Sequence, residues 1–227
     1  MKYKNIIFDL DGTLLDTSDG IKQAVQHTIR KMGYKNLSNE ELQSFIGPPI
    51  QNSLISAFGC SVDDAQKGAD VFRNYYKNIS LFNAKPYAKI YDLMEEIINH
   101  EMDIAVATYK REDYAIKLLN KFRFNEYCKV MHGADNFNRL TKADIIKKCI
   151  DELDGDKENS LYVGDTKGDF IGASLCGINF IGVEYGFGFS PEQKYEFETI
   201  NEPLELLNYI LWIYNNKNIH HFIICLL

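Results

Sequence analysis

Residues 5–17 read NIIFDLDGTLLDT, and this stretch decides the fold. Residues 3–8 form a short, isoleucine-rich apolar run, which ends abruptly at two aspartates, Asp9 and Asp11, and Gly12. A continuous apolar run of this length is typical of a strand that helices cover on both faces of a parallel sheet. Polar residues directly after such a strand lie where open α/β sheets bind their ligands. The stretch therefore predicts a buried strand with Asp9 and Asp11 at its carboxyl end.

Similar apolar runs recur at residues 104–108, 161–165 and 180–183, and helical patterns lie between them. In residues 90–98, for example, the apolar side chains follow the i, i+3, i+4 rule of an amphipathic helix. Strands that alternate with helices predict an α/β fold with right-handed crossovers. We therefore expect a doubly wound parallel sheet, that is, a Rossmann-like core.

The alternation is interrupted once, because residues 18–76 carry successive helical patterns and no strand-like segment is evident before residue 104. Gly33 is placed to end the first helix, and Ser38 with Glu41 forms a capping-box signature for the next. We expect an inserted helical-bundle cap domain of about four helices. The predicted core comprises residues 1–16 and 84–214, the helical cap residues 17–83, and a C-terminal tail residues 215–227.

The composition excludes several classes of protein. The chain has 227 residues, 45% of them hydrophobic, which is enough to bury a core and argues against disorder. The 32 acidic side chains exceed the 25 Lys and Arg, and the net charge of −7 argues against a nucleic-acid partner. Five cysteines without a C-x-x-C pair predict neither a disulfide framework nor a zinc site. No apolar run approaches the roughly 18–20 residues that span a bilayer, so we expect a soluble cytoplasmic protein without a membrane partner.

The C-terminal residues are harder to interpret. Residues 204–214 could form a last amphipathic helix, and the apolar end of the 215–227 segment is much too short for a membrane anchor. We expect a tail that packs on the core or is poorly ordered, and assign it no function.

Four carboxylates are predicted at one edge of the sheet. Asp9 and Asp11 follow the first strand, Asp165 ends a later one, and Asp169 lies one helical turn further on. Carboxylates gathered in this way repel one another and raise one another's pKa values. A hard divalent cation would relieve the repulsion, and oxygen ligands without nearby histidine or cysteine favour Mg²⁺ over zinc.

These motifs resemble those of the haloacid dehalogenase-like hydrolase superfamily. Residues 8–17 look like its first motif, D-x-D-G-T; Ala107-Thr108 is similar to the second, a Thr or Ser that ends a strand; and Lys142 can serve as the third. Residues 164–169, GDTKGD, match the fourth, G-D-x-x-x-D. Residues 108–110 and 181–186 further resemble the phosphoglycolate phosphatase-like branch, which carries a helical cap after the first motif. The resemblance extends over nearly the whole chain, to about Gly188.

The resemblance implies a catalytic role for four residues. Asp9 would attack phosphorus to form an aspartyl-phosphate intermediate. Asp11 would protonate the leaving oxygen and then activate water. Thr108 and Lys142 would hold the transferring phosphoryl oxygens.

It also implies a metal site. Mg²⁺ would bridge Asp9, the backbone carbonyl of Asp11 and Asp165. Asp169 would either bind the ion directly or hold its ligands, and the sequence leaves this choice open.

Several assignments have alternatives. Many relatives carry Lys-Pro in the third motif, whereas Ala143 follows Lys142, and the third-motif lysine could instead lie nearby, at Lys147 or Lys148. Lys110 could meet a substrate anion or begin a solvated helix.

The cap loop at residues 46–49 is a candidate for contacting the substrate, through Gly47 and Pro48. It could equally be a corner between two helices.

The predicted function is that of a Mg²⁺-dependent phosphatase acting on a small phosphorylated metabolite, as a monomer or homodimer. Phosphoglycolate is the first expectation, and nucleotides, pyrophosphate and sugar phosphates are alternatives.

Rival functions are weaker. Sugar-phosphate mutases tend to carry Glu-Asp where this chain has Gly164-Asp165, and dehalogenases do not need Asp11. A phosphonate hydrolase would need a reactive cap lysine, and a non-enzymatic binding module would not need to keep the motifs intact.

Overall fold

The computed structural model describes residues 3–135, 139–153 and 155–211. Within these ranges the strands, in chain order, are β1 (Asn5–Phe8), β2 (Leu15–Asp16), β3 (Lys85–Pro86), β4 (Asp103–Arg111), β5 (Cys128–Ala134), β6 (Ser160–Gly164), β7 (Asn179–Val183) and β8 (Glu198–Ile200). Six of the described strands form one parallel sheet in the order β5-β4-β1-β6-β7-β8. The predicted doubly wound parallel sheet is therefore confirmed, with β1 near its middle.

Helices cover both faces of this sheet. The described α-helices are α1 (Ser18–Met32), α2 (Asn39–Gln43), α3 (Ile50–Phe58), α4 (Val62–Tyr75), α5 (Ile90–Asn99), α6 (Glu112–Lys121), α7 (Lys142–Glu152), α8 (Lys167–Cys176) and α9 (Leu207–Ile210). Because strand side chains alternate between faces, Ile6 and Phe8 of β1 pack with residues of α5 and α6, whereas Ile7 packs with residues of α7 and α8. All four residues of β1 are buried, which explains why three of them, Ile6, Ile7 and Phe8, are apolar.

The register of the sheet brings three strand ends together. Phe8 lies beside Val106 of β4 on one side and beside Val163 of β6 on the other. The next residue, Asp9, donates its backbone N–H to the Val163 carbonyl over 2.9 Å. Asp9 and the residues that follow Val106 and Val163 therefore share one edge of the sheet.

The segment between β2 and β3 is helical, which confirms the predicted helical cap. It contains α1 to α4, followed by a π-helical turn at Tyr76–Ser80. Gly33 ends α1 in the left-handed conformation, with φ 72°, and Ser38 and Glu41 form the expected reciprocal capping box. The apolar interior of these helices is continuous with the α5 and α6 side of the core. We retain residues 17–83 as the proposed extent of the cap.

Several elements differ from the sequence-based expectation. β2 and β3 were not predicted; they pair antiparallel where the chain leaves and re-enters the core. The edge strand β5 contains Lys129 and His132 and lacks the apolar continuity of a central strand, while β8 has only three residues.

The predicted helix at residues 204–214 was placed too broadly. It is a 3₁₀ turn, Pro203–Leu206, followed by α9, and residues 212–214 and the tail at residues 215–227 lie outside the described residues. Within the described part of the chain, no helix is both long and apolar enough to cross a bilayer.

A close contact at Gly20 joins the two connections between core and cap. The Gly20 backbone N–H donates to the Asn83 carbonyl over 3.0 Å, and Ser80 Oγ donates to the Gly20 carbonyl over 2.8 Å. A Cβ atom at Gly20 would collide with the Ser80 carbonyl oxygen and lie 3.0 Å from that of Asn83. The first turn of α1 can therefore approach the end of the π-helical turn only because residue 20 is a glycine, which has no side chain.

We predict that Gly20→Ala lowers the free energy of unfolding by roughly 1–3 kcal/mol, because backbone atoms would have to move to admit the methyl group. The matched control is Gly168→Ala in the first turn of α8, where the nearest atom to the new Cβ is Thr166 Oγ1 at 3.5 Å. Urea unfolding followed by circular dichroism measures both variants. Equal stability of the two variants would contradict this account of the contact between Gly20 and the residues Ser80 and Asn83.

Candidate active site

A cavity of about 690 Å³ lies where the carboxyl edge of the sheet faces the cap. All of the residues that the sequence predicted for catalysis, phosphate binding and metal binding line it: Asp9, Asp11, Thr108, Lys142, Asp165 and Asp169. The three candidate substrate-contacting residues, Gly47, Pro48 and Lys110, line it as well. The structure thus brings every predicted site residue to one cavity.

Lys142 lies between two of the carboxylates. It is the first residue of α7, whose N-terminus is fixed by a capping box between Thr141 and Asp144. Its Nζ is 2.6 Å from Asp9 Oδ1 and 2.7 Å from Asp169 Oδ1. Lys142 therefore occupies the position expected of the third-motif lysine, whereas the alternatives, Lys147 and Lys148, are exposed.

Asp165 is the most enclosed member of the acidic cluster. It is fully buried directly after β6, and its Oδ2 accepts the Phe187 backbone N–H over 2.8 Å. Its Oδ1 has no hydrogen-bond partner among the residues described. Gly12, with φ 83°, lies so close that a Cβ there would collide with Asp165 Oδ2. The loop of the first motif is thus in close contact with Asp165 Oδ2. The other carboxylate oxygen, Oδ1, is buried without a hydrogen bond to any described residue.

A metal ion would satisfy this geometry. Carboxylate oxygens of Asp9, Asp165 and Asp169 lie within 4.8 Å of one another, and all three residues are buried. An all-oxygen donor set suits a hard cation such as Mg²⁺. The unpartnered Oδ1 of Asp165 is the observation that makes the fit specific, because an isolated buried carboxylate oxygen is otherwise costly.

The pKa values of the clustered groups also favour a bound cation. Burial raises the pKa of Asp9 to about 7, although Lys142 acts against the shift. Burial and the charges of Asp169 and Asp9 raise the pKa of Asp165 well above its ordinary range. Burial alone would lower the pKa of Lys142, but the charges of Asp169 and Asp9 outweigh it and raise that pKa. Because Lys142 brings one positive charge to three carboxylates, a further positive charge would stabilise the cluster.

Asp169 is already engaged by the protein at both carboxylate oxygens. Oδ2 accepts from the Thr166 backbone N–H over 2.9 Å and from Thr166 Oγ1 over 2.6 Å, which caps α8. Oδ1 contacts Lys142 and lies 3.4 Å from the Tyr162 hydroxyl. This arrangement favours Asp169 as the residue that holds Lys142 and the start of α8 in place.

The Asp11 carboxylate is directed to a different set of partners. Lys110 Nζ donates to both of its oxygens over 2.9 Å, and Thr17 Oγ1 donates to Oδ1 over 2.5 Å. The side chain of Lys110 is only 8% exposed. The alternative in which Lys110 begins a solvated helix is therefore wrong. Thr108, also buried, accepts the Lys110 backbone N–H at its Oγ1 over 3.2 Å.

The cap contributes a mostly apolar wall to the cavity. Its lining residues include Phe45, Ile46, Pro48, Pro49, Ile50, Phe72 and Tyr76. From the cap, Arg73 of α4 adds a charged side chain to this wall. From the core, Arg111 of β4 also lines the cavity; it pairs with Asp113 and covers the Tyr114 ring, with its guanidinium carbon 4.0 Å from the centroid.

Sequence reasoning missed four residues that shape the site: Thr17, Tyr76, Tyr162 and Phe187. Tyr162 carried a readable signal, since it places a hydroxyl in an otherwise apolar strand; this hydroxyl donates to the Ala107 carbonyl over 2.6 Å. Phe187 acts through its backbone N–H, which no residue pattern reveals. Tyr76 lies over Lys110 because of the way the cap meets the sheet, which no local pattern indicates.

Comparison with known proteins gives a consistent result. The family described as "Haloacid dehalogenase-like hydrolase" matches residues 6–183. A 5'-nucleotidase of Pseudomonas aeruginosa is 31% identical over 195 residues, covering 86% of this chain and 88% of that protein. A phosphoglycolate phosphatase of Agrobacterium fabrum is 28% identical over 201 residues, covering 86% of each chain.

The solved structures that resemble this chain lead to the same family. A predicted phosphatase from Clostridium acetobutylicum superposes with a TM-score of 0.84 at 29% identity, covering 94% of this chain and all of that one. A haloacid dehalogenase-like hydrolase from Streptococcus pneumoniae has a TM-score of 0.83 at 27% identity, covering 92% and 98%. These matches support a phosphatase of the phosphoglycolate phosphatase-like branch. The chain belongs to the haloacid dehalogenase-like hydrolase family.

Proposed function

We propose that this phosphatase hydrolyses small phosphate monoesters in a Mg²⁺-dependent reaction, through a phosphorylated Asp9. The observation that carries the proposal is the buried cluster of Asp9, Asp165 and Asp169, in which Asp165 Oδ1 has no partner among the described residues. Such a cluster is costly unless the site binds a cation.

Asp9 is placed to act as the nucleophile. It is 5% exposed at the base of the cavity, and Lys142 holds its Oδ1 at 2.6 Å. The ammonium group favours the ionised carboxylate, which is the form that attacks phosphorus. The same charge can then stabilise the phosphoryl oxygens as negative charge develops on them.

The metal would be held by Asp9, Asp165 and the backbone carbonyl of Asp11, with Asp169 fixing their surroundings. When bound, Mg²⁺ supplies positive charge that offsets the carboxylates and polarises the phosphoryl group. Asp165 is the side chain best placed to ligate it, since the Phe187 N–H engages its Oδ2, whereas its Oδ1 has no hydrogen-bond partner in the described part of the chain.

Asp11 would donate a proton to the leaving oxygen and later accept one from water. Thr108 lies at the end of β4 beside the same cavity and would orient the phosphoryl group. The cap roofs the cavity, and its apolar wall would exclude bulk water while the phosphoryl group is transferred.

The size of the cavity indicates which leaving groups it can accept. Phosphoglycolate carries only a carboxymethyl group beyond its phosphate, whereas a cavity of about 690 Å³ is in the range that accepts much larger ligands. Aromatic side chains, including Phe45, Tyr109 and Tyr114, contribute to its walls. These features favour a second candidate substrate, a nucleoside 5'-monophosphate, and the Pseudomonas aeruginosa relative is a 5'-nucleotidase.

Two rival activities fit the structure less well. A side chain at Gly164, where mutases tend to carry Glu, would place its Cβ 2.6 Å from Asp169 Cβ. A phosphonate hydrolase would need a reactive cap lysine at the cavity, and the cap lysines Lys22, Lys31, Lys35 and Lys67 do not line it.

We predict that Asp9→Asn abolishes hydrolysis of every substrate, because an amide is too weak a nucleophile to form the phosphorylated intermediate. Asp19→Asn, at an exposed position in α1, is the matched control and should retain full activity. Borohydride reduction of the acid-quenched wild-type enzyme should convert residue 9 to homoserine, detectable by peptide mass. Turnover by Asp9→Asn, or reduction at another residue, would refute the mechanism.

We predict that Mg²⁺ stabilises the protein more at pH 8 than at pH 5.5. The folded-state pKa of Asp9 is about 7, above its ordinary value of 3.8. The metal-free protein therefore loses stability as the pH rises from the ordinary pKa to the folded-state pKa. Protons compete with the cation below pH 7 and no longer do so above it. At a Mg²⁺ concentration of about 100 times Kd, we expect Tm to rise by about 5–10 °C at pH 8.

Asp165→Asn is the control for this measurement. It should lose most of the Mg²⁺-induced rise in Tm, while its metal-free form should be more stable than the wild type at pH 8, because one buried charge is removed. A larger Mg²⁺ effect at pH 5.5 would contradict the assignment of these carboxylates as ligands.

We predict that nucleoside 5'-monophosphates are hydrolysed with a higher kcat/KM than phosphoglycolate. Tyr109, 37% exposed at the cavity, offers a ring on which a base can stack. Tyr109→Ala should raise KM for the nucleotide about tenfold, since stacking on an aromatic side chain contributes about 1–3 kcal/mol, and should leave KM for phosphoglycolate unchanged. A higher kcat/KM of the wild-type enzyme for phosphoglycolate would contradict the nucleotide prediction and favour phosphoglycolate as the substrate.

A further inference from the structure

Asp11 is held by a largely buried ion pair with Lys110. Lys110 Nζ contacts both Asp11 oxygens at 2.9 Å, and the side chains of Lys110 and Asp11 are only 8% and 18% exposed. Solvent screens a pair at this depth far less than one at the surface. Lys110 lies two residues beyond Thr108 on β4, and its backbone N–H is anchored on Thr108 Oγ1. The ammonium group therefore reaches Asp11 from the irregular end of β4, which lies between the paired residues Ala107 and Arg111.

The cap covers this ion pair with an aromatic ring. Lys110 Nζ lies 5.0 Å from the centroid of Tyr76, the first residue of the π-helical turn that leads from α4 back to the core. The Tyr76 ring is itself fixed, because it stacks on Phe72 with 5.6 Å between centroids and meets Tyr114 edge-on at 5.9 Å. A cation over the face of a buried ring is stabilised by the ring quadrupole. Sheet, motif loop and cap therefore meet at one ammonium group.

Lys110 makes two of its hydrogen bonds to Asp11. A lysine has three N–H donors; here two bonds go to Asp11, and the Tyr76 ring covers the ammonium group. Substrate binding through Lys110 would require the buried pair to break, which would leave the Asp11 charge partly buried with the Thr17 hydroxyl as its remaining hydrogen-bond partner among the described residues. This contact geometry suits a residue that orients Asp11 better than one that binds the substrate.

We propose that Lys110 positions Asp11 for proton transfer to and from the leaving oxygen, and that Tyr76 makes this positioning depend on the docked cap. The proposal rests on the proposed phosphatase function. Asp11 must turn one oxygen to the leaving group during the reaction, while the other keeps its bond to Lys110. Lys110 thus limits the positions that the carboxylate can adopt, and a cap displaced from the core removes the ring that covers the ammonium group.

The test uses aryl phosphates that differ in leaving-group acidity. A positioned general acid matters most for a poor leaving group such as phenol, and little for p-nitrophenol, which departs without protonation. We expect Lys110→Met to lower kcat for phenyl phosphate by about 10- to 100-fold but to change kcat for p-nitrophenyl phosphate by less than about threefold. Lys110→Arg should recover part of the loss, and Lys117→Met, at an exposed position in α6, should behave as the wild type.

Two further comparisons separate positioning from a structural role. In an Asp11→Asn background, Lys110→Met should have almost no additional effect, since residues that act through one another are not additive. Tyr76→Phe keeps the ring over Lys110 and should therefore retain more of the kcat for phenyl phosphate than Tyr76→Leu, which should show the same dependence on the leaving group as Lys110→Met. If Lys110→Met does not fold, the difference between the two Tyr76 variants decides the question.

An equal loss across the phosphate series, or a rise in KM with kcat unchanged, would overturn the proposal and make Lys110 a structural or substrate-binding residue. Failure of the proposed function is recognised separately, by hydrolysis in Asp9→Asn or in the presence of EDTA. A wild-type enzyme that needs both Asp9 and Mg²⁺, combined with a uniform loss in Lys110→Met, would leave the function standing and remove only the positioning role.

Discussion

The structure depends on the burial of three carboxylates at the edge of one sheet. Asp9, Asp165 and Asp169 are held within a few ångströms of one another, because the parallel register of β1 and β6 aligns the two strand ends and α8 begins directly after Asp165. Like charges in a buried site are unfavourable unless positive charge is supplied. Lys142 supplies part of it, and the unpartnered Asp165 oxygen marks where a cation would supply the rest.

A second lysine separates the roles of the two motif aspartates. Asp9 is paired with Lys142 from α7, and Asp11 with Lys110 from β4, so neighbouring carboxylates of one loop have different partners. The first environment fits the nucleophile of the proposed mechanism, and the second fits its acid and base near the cap. In that proposal, two carboxylates of the same chemical type would take different roles because their surroundings differ.

Much of the fold could be predicted from local patterns. The apolar runs that became β1, β4, β6 and β7 are buried on both faces, and such burial is visible as uninterrupted hydrophobicity. β5 was missed because an edge strand carries polar residues, and the β2–β3 pair was missed because two residues are too few to show a period. Pairings between distant segments leave no trace in either segment alone.

The sequence by itself determined the family, the α/β core with its helical insert, and the motif residues that reach the cavity, since the motifs are local and lie at strand ends. Only the tertiary structure decided which lysine pairs with which aspartate. The partners Lys142 and Asp9 are 133 residues apart, and Lys110 and Asp11 are 99 apart. It also decided that Asp165 keeps an unsatisfied oxygen and that Tyr76 covers Lys110. The physical reason is that these contacts arise from strand register and from the docking of the cap, which no local pattern of residues encodes.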